Sequence, residues 1–175
     1  MSFCLILLAG GNSNRFNSNL AKPYHKIAGK TLLEISLNKS LLFNQIKKTV
    51  VVYNKKHVKA LKRANLKNVK FIKGGKTRQE STYNALKYLA NEKGISRVLI
   101  HDSARPNFSL KLLGSIIKNM KNSRAVVPTL RINDAVKQKL QKYIIGKSRN
   151  NLFITQTPQC FNLKEIYNLH KLHKH

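Results

Sequence analysis

Short apolar runs alternate along the chain with stretches in which apolar positions recur every three or four residues. Five runs have strand character: FCLILLA (3–9), TVVVYN (49–54), VKFIK (69–73), RVLIHD (97–102) and AVVPT (125–129). Their largely unbroken apolar character fits strands covered on both faces, as in a parallel sheet. Between them, Leu33, Leu37 and Leu41 share a helical face, as do Tyr83, Leu86, Leu89 and Ala90, and Leu113, Ile116, Ile117 and Met120. Strand–helix alternation of this kind predicts an α/β fold with a doubly wound, mostly parallel sheet. From about Ile132 to Thr155 the pattern loosens into weak alternation with turn residues, which predicts a β-hairpin arm leaving the main body. A chain of 175 residues is expected to form one domain with its own core. The closing NLHKLHKH stops partway through a helical pattern of Ile166, Leu169 and Leu172, so the chain is expected to be incomplete.

Charge changes the picture next. The formal net charge is +28, from 34 Lys and Arg against 6 Asp and Glu. A basic surface attracts polyanions, so nucleic acid is a reasonable partner class. The lysines are nevertheless spread evenly, without the aromatic-interleaved patches of single-strand binders. The charge is therefore read as background that raises the local concentration of anionic substrates. Arg is the scarcer base, and Arg15, Arg78, Arg105 and Arg149 fall beside Gly, Ser, Asp, Pro or Asn in loop-like stretches. Its planar fork binds phosphate bidentately, which Lys cannot do. The longest apolar run, Phe3 to Ala9, is too short to span a bilayer and lacks the flanks of a secretory signal. Cys4 and Cys160 have no metal-binding spacing and suit free, buried thiols in a reduced cytoplasm.

In a doubly wound sheet, ligands bind beyond the carboxyl ends of the strands. Four stretches fall there. In LLAGGNSNRFNSNLAKP (7–23), Ala9, Gly10 and Gly11 let backbone N–H groups approach an anion, and Arg15 and Lys22 add two cations. LAGG alone would be an ordinary turn; the Arg, Lys and Pro that follow favour an anion site. The stretch matches neither a Walker loop nor the dinucleotide fingerprint. In GGKTRQES (74–81), Gly74 and Gly75 can lie against a flat base while Arg78 and Ser81 open a helix; a plain helix start with Thr77 as N-cap explains it equally well. In HDSARP (101–106), Asp102 ends a buried strand, where an acid needs a cation. Both a phosphate-bound Mg2+ and a local bridge to Arg105 meet that need. In RINDAVK (131–137) and SRNNLFITQTPQ (148–159), Asp134, Lys137, Arg149, Thr157 and Gln159 are candidate contacts. His25, His57 and His101 lack any nucleophile-relay spacing and are read as structural. Cations, glycines and one strand-end acid without an evident nucleophile suit direct phosphoryl or nucleotidyl transfer.

The order AGGNSNR, AKP, GGKTRQES, HDSARP and TQTPQ resembles the 2-C-methyl-D-erythritol 4-phosphate cytidylyltransferase family, from about Phe3 to about Leu163. The resemblance implies a Rossmann-like fold akin to the nucleotide-diphospho-sugar transferases, a homodimer, and CTP, methylerythritol phosphate and a divalent cation such as Mg2+ as ligands. It implies that Arg15 and Lys22 are catalytic, neutralising charge on the CTP phosphates. Ala9, Gly10, Gly11, Gly75 and Ser81 would form the cytidine pocket, and Asp102 would lie by the ribose and the metal, with Arg105 nearby. Arg149 and Thr157 would position the second substrate's phosphate, and Arg105 is grouped with them. No specific nucleic acid and no membrane would be involved.

The chain departs from the family pattern at Ser13, where a second glycine is usual, and at Pro23, which follows the lysine instead of preceding it. Ala135 stands for a customary threonine and Lys76 for a frequent acid. The family's later segment, with its Asn-x-Lys-x-Thr stretch, would begin after His175, and a second enzyme domain could follow it. Two alternatives stand beside the leading one: a ribitol phosphate cytidylyltransferase, and a non-catalytic basic module that binds nucleic acid.

Overall fold

The computed structural model describes residues 2–11, 18, 20–61 and 68–173. In chain order the elements are β1 (Phe3–Ala9), a 3-10 turn (Lys22–Tyr24), β2 (Lys26–Ile27), β3 (Lys30–Thr31), α1 (Leu32–Leu41) and β4 (Ile46–Tyr53). A second 3-10 turn (Lys55–His57), α2 (Val58–Leu61), β5 (Val69–Lys73), α3 (Arg78–Ala90), β6 (Arg97–Asp102) and α4 (Leu110–Asn119) follow. The remainder comprises β7 (Ala125–Val126), β8 (Thr129–Arg131), β9 (Val136–Leu140), β10 (Tyr143–Lys147), β11 (Phe153–Thr155), β12 (Gln159–Asn162) and α5 (Leu163–Leu172).

The main sheet has the strand order β5-β4-β1-β6-β12-β7. β1 pairs in parallel with β4 and β6, and β4 with β5, so four strands point their carboxyl ends the same way. β12 runs antiparallel against β6 and β7. The expected doubly wound, mostly parallel α/β sheet is therefore present. Period-two geometry divides β1 between two cores. Phe3, Leu5, Leu7 and Ala9 face Leu33 and Leu37 of α1, Leu113 and Ile116 of α4, and Met120, which caps α4. Cys4 and Ile6 face Ala85, Leu86 and Leu89 of α3 and Leu163 of α5. Both cysteines are free and buried as expected, and burial pushes each thiol up to about 12.

The helices begin where short polar side chains can take orphan N–H groups. Thr31 and Glu34 form a reciprocal capping box at the start of α1. Thr77 accepts from the Glu80 N–H at the start of α3, and Ser109 accepts from the Leu112 N–H at the start of α4.

Several expected details differ. The strand read at 49–54 starts at Ile46, because Ile46 and Lys48 already pair with β1. AVVPT breaks into β7 and β8, since Pro128 lacks the N–H a continuous ladder needs. Leu41, Ala90, Leu169 and Leu172 are exposed, each in the last turn of its helix. β12 escaped the pattern reading because its apolar residues, Cys160 and Phe161, are only two. In the stretch 129–155, β9 and β10 form an antiparallel hairpin turned at Gln141, while β8 and β11 pair at its base.

Leu99 is fully buried in the centre of β6, among the side chains that α4 covers. Leu99→Ala is expected to cost about 2–5 kcal/mol of unfolding free energy, read as a lowered urea midpoint.

Candidate active site

The chain turns at the carboxyl ends of β1, β4, β5 and β6, and three of these turns meet. A Cβ built on Gly10 would lie 3.5 Å from the Ser81 hydroxyl oxygen, 3.7 Å from the Gly74 Cα and 3.8 Å from the Tyr53 carbonyl. The Gly74 N–H donates to the Tyr53 carbonyl at 2.8 Å, and the Gly75 N–H donates to Ser81 Oγ at 3.0 Å. A side chain at Gly74 would come within 3.2 Å of the Tyr53 carbonyl, so glycine there permits the close approach of backbones. At Gly75 the space a side chain would need is filled by Glu80, whose carboxylate accepts from the Lys76 N–H at 2.7 Å. Gly10, Gly75 and Ser81 thus form one patch, with Ala9 buried behind it and Gly11 exposed at its rim.

Two side chains fix the end of β1. The Tyr24 hydroxyl donates to the Ala9 carbonyl at 3.1 Å, and the Asn54 amide donates to the Gly10 carbonyl at 3.2 Å. Burial pushes Tyr24 up to about 12, which keeps it a donor. The Tyr24 bond also anchors the turn that carries exposed Lys22 to the end of β1. Arg15 and its neighbours 12–14, 16, 17 and 19 lie outside the described residues. Asn54 was missed in the sequence; its signal was a polar residue closing a run of three valines and a tyrosine.

Asp102 ends β6 with its side chain 31% exposed. Arg78 donates through Nε and Nη2 to one carboxylate oxygen, at 3.2 and 3.1 Å. Arg105 Nε lies 3.5 Å from the other oxygen. The expected Asp102–Arg105 bridge is present but is the longer contact; the shorter partner, Arg78, comes from the first residue of α3. Both guanidinium groups are more than half exposed, so these pairs contribute at most about 1 kcal/mol each. Their consequence is orientation of the carboxylate. Among the described residues, no three His, Cys, Asp or Glu side chains gather as a metal-holding group. A single strand-end carboxylate nevertheless fits Mg2+, which is held by one or two carboxylates together with substrate phosphates.

The loop after β6 is tied down from three sides. The Ser103 N–H and hydroxyl both donate to the Leu8 carbonyl, at 3.2 and 2.7 Å. The Ser36 hydroxyl donates to the Ser103 carbonyl at 3.1 Å, and the Lys39 ammonium to the carbonyls of Pro106 and Phe108. His101 is fully buried beneath it. Its Nε2 lies 3.0 Å from the Arg105 carbonyl and its Nδ1 2.8 Å from the Thr157 hydroxyl. Burial holds the imidazole down at about 4 despite the raising influence of the Arg105 carbonyl and Asp102, so it is neutral at pH 7. The structure thereby brings Thr157 to the Asp102–Arg105 loop. Gln159 donates to the Gln156 carbonyl at the start of β12. Arg149 lies exposed in the hairpin region, where its guanidinium donates to the Asn133 carbonyl.

Glycine turns, a capped helix start and a strand-end carboxylate along one edge of a parallel sheet define a Rossmann-like α/β protein with a site at its switch edge. A family model for 2-C-methyl-D-erythritol 4-phosphate cytidylyltransferase (IspD) matches residues 3–175, and the chain belongs to that family. The bifunctional enzyme IspD/IspF of Pelagibacter ubique (strain HTCC1062) is 48% identical over 97% of this chain, which spans 45% of that relative. The 2-C-methyl-D-erythritol 4-phosphate cytidylyltransferase of Thermosipho africanus (strain TCF52B) is 36% identical over 92% of this chain and 73% of its own length. Among solved structures, the Francisella tularensis enzyme of that name superposes with a TM-score of 0.83 at 27% identity, covering 98% of this chain and 77% of its own. The bifunctional IspDF of Campylobacter jejuni gives 0.82 at 28% identity, covering 97% of this chain and 43% of its own.

His101 also makes stability depend on pH. Its ring takes a proton near 6.5 when unfolded but only near 4 when folded, so below 6.5 the unfolded state binds more protons. Stability is then fully present above pH 6.5 and declines as the pH falls towards 4, by about 2 kcal/mol between pH 7 and pH 5 from this residue. Urea midpoints in metal-free buffer check this, and H101Q is expected to flatten the fall.

Proposed function

We propose that the full-length protein transfers CMP from CTP to 2-C-methyl-D-erythritol 4-phosphate, forming 4-diphosphocytidyl-2-C-methyl-D-erythritol and pyrophosphate in non-mevalonate isoprenoid synthesis. The observation that carries this reading is the meeting of the Gly10, Gly74–Gly75 and Ser81 turns beside Asp102, in a chain belonging to a family of cytidylyltransferases. Ala9, Gly10, Gly11, Gly75 and Ser81 form the cytidine pocket: the glycines leave a flat backbone surface for the base, and Ser81 fixes the turn against it. Asp102 faces the ribose and would hold Mg2+, with Arg78 and Arg105 steadying its carboxylate. The bound ion would neutralise charge on the triphosphate. Arg15 and Lys22 are the catalytic cations, stabilising charge that grows on the phosphates as the bond to pyrophosphate breaks. Arg105, Arg149 and Thr157 position the alcohol phosphate.

The reaction needs no nucleophilic side chain. A phosphate oxygen of the alcohol substrate forms a new P–O bond at the α-phosphorus, and the α–β bridge bond breaks in line with it. Both substrates are anions, which the +28 chain attracts. The names of the Thermosipho africanus and Francisella tularensis relatives support methylerythritol phosphate over ribitol phosphate as acceptor. No helix among the described residues is long and apolar enough to cross a membrane. We place the protein in the cytoplasm as a homodimer, binding neither membrane nor specific nucleic acid.

Pyrophosphate release from CTP and methylerythritol phosphate tests the reading: turnover is expected with Mg2+ and none after chelation, whereas a folded full-length protein that yields no product overturns it. Arg15→Ala and Lys22→Ala are each expected to lower kcat about 100-fold or more. Retention on a polyanion column should barely change, because each removes one of 34 basic charges.

A further inference from the structure

His101 offers a hydrogen-bonding group at each end of a fully buried ring, and both are spent on residues of the second-substrate region. A carbonyl can only accept, so Nε2 carries the proton and donates to Arg105 at 3.0 Å. In the neutral ring Nδ1 then has a lone pair, and the Thr157 hydroxyl, 2.8 Å away, donates to it. Phe108 closes the ring in edge-on, its centroid at 4.5 Å. Thr157 and His101 are 56 positions apart; His101 lies in β6 and Thr157 two residues before β12, the antiparallel neighbour of β6, near the end of β6 from which Asp102 projects.

We infer that His101 is a positioning residue for the alcohol phosphate: it holds the Arg105 loop to Thr157 and sets the direction of the Thr157 hydroxyl. This rests on the function proposed above. Because its proton is committed to Nδ1, the Thr157 hydroxyl offers a ligand lone pairs only. It therefore accepts from a hydroxyl of the polyol chain and does not donate to the phosphate. The task of neutralising that phosphate falls to the arginines.

Substitutions can separate the two bonds. The Gln amide nitrogen falls close to the position of Nε2, so H101Q keeps the Arg105 bond and loses the Thr157 bond; H101L loses both. Steady-state kinetics of the full-length protein are expected to show a KM for methylerythritol phosphate raised about tenfold in H101Q and further in H101L. The KM for CTP should stay within about twofold, and T157V, which removes the hydroxyl itself, should raise the KM for methylerythritol phosphate at least as much as H101Q. In the double variant H101Q/T157V the increase should not exceed that of T157V alone, since T157V already removes the hydroxyl that His101 directs. Leu89→Ala serves as a control for lost stability, Leu89 being fully buried on α3 in the core that does not contain Phe108, and it should leave the ratio of the two KM values unchanged. Three outcomes overturn the inference: KM values for both substrates rising together, H101Q and H101L changing neither, or the H101Q and T157V effects multiplying. A wild-type protein without turnover would sink the proposed function instead, which keeps the two failures distinct.

Discussion

Burial of β1 on both faces is the constraint from which the architecture follows. Its side chains from Phe3 to Leu7 are sealed from solvent, alternately against α1 and α4 on one side and α3 and α5 on the other. Strands covered on both faces are typical of parallel sheets whose crossover helices pack on either side, and β4 and β6 flank β1 in that way. Parallel strands share one carboxyl edge, where each chain segment must leave the sheet and turn. Polar groups excluded from the core collect there. Gly10, Gly74 and Asp102 are neighbours because β1, β5 and β6 all end at that edge.

That edge is held rigid by bonds to backbone carbonyls. Tyr24 and Asn54 take the Ala9 and Gly10 carbonyls, and Ser103 takes that of Leu8. Lys39 secures the carbonyls of Pro106 and Phe108 from α1. Such bonds cost little in exposed surface and satisfy carbonyls that would otherwise be orphaned at strand ends. The result is that the end of β1 at Leu8–Gly10 and the loop at Pro106–Phe108 are tied down before any ligand arrives. Pre-set geometry of that kind suits a reaction catalysed mainly by positioning and charge.

Much of the fold was legible from periodicity. The run FCLILLA has no reading other than a buried strand or a short buried helix segment, and its length decides for the strand. The face of Leu113, Ile116, Ile117 and Met120 was fully recovered, because four large apolar side chains at helical spacing leave one way to bury them. The face of Leu33, Leu37 and Leu41 was recovered in part: Leu41, the last residue of α1, is exposed, and periodicity carries no information on where the covering surface stops. The two-apolar-residue strand β12 left almost no pattern, since its place in the sheet comes from pairing with β6.

The candidate site divides along the same line. Glycines at 10, 74 and 75, the Thr77 cap and the strand-end position of Asp102 could be read locally, because each follows from a turn or an element boundary only a few residues long. The partnership of Asp102 with Arg78, 24 positions away, could not, nor could that of His101 with Thr157, 56 away. Read in isolation, His101 was one more structural histidine. The sequence determined the strands β1, β4, β5 and β6, the Thr77 helix start and the glycine turns, through spacing and side-chain chemistry that act over a few residues. Which polar side chains distant in sequence meet was decided by the tertiary structure alone, since packing sets the order of the strands and the order of the strands sets which loop ends touch.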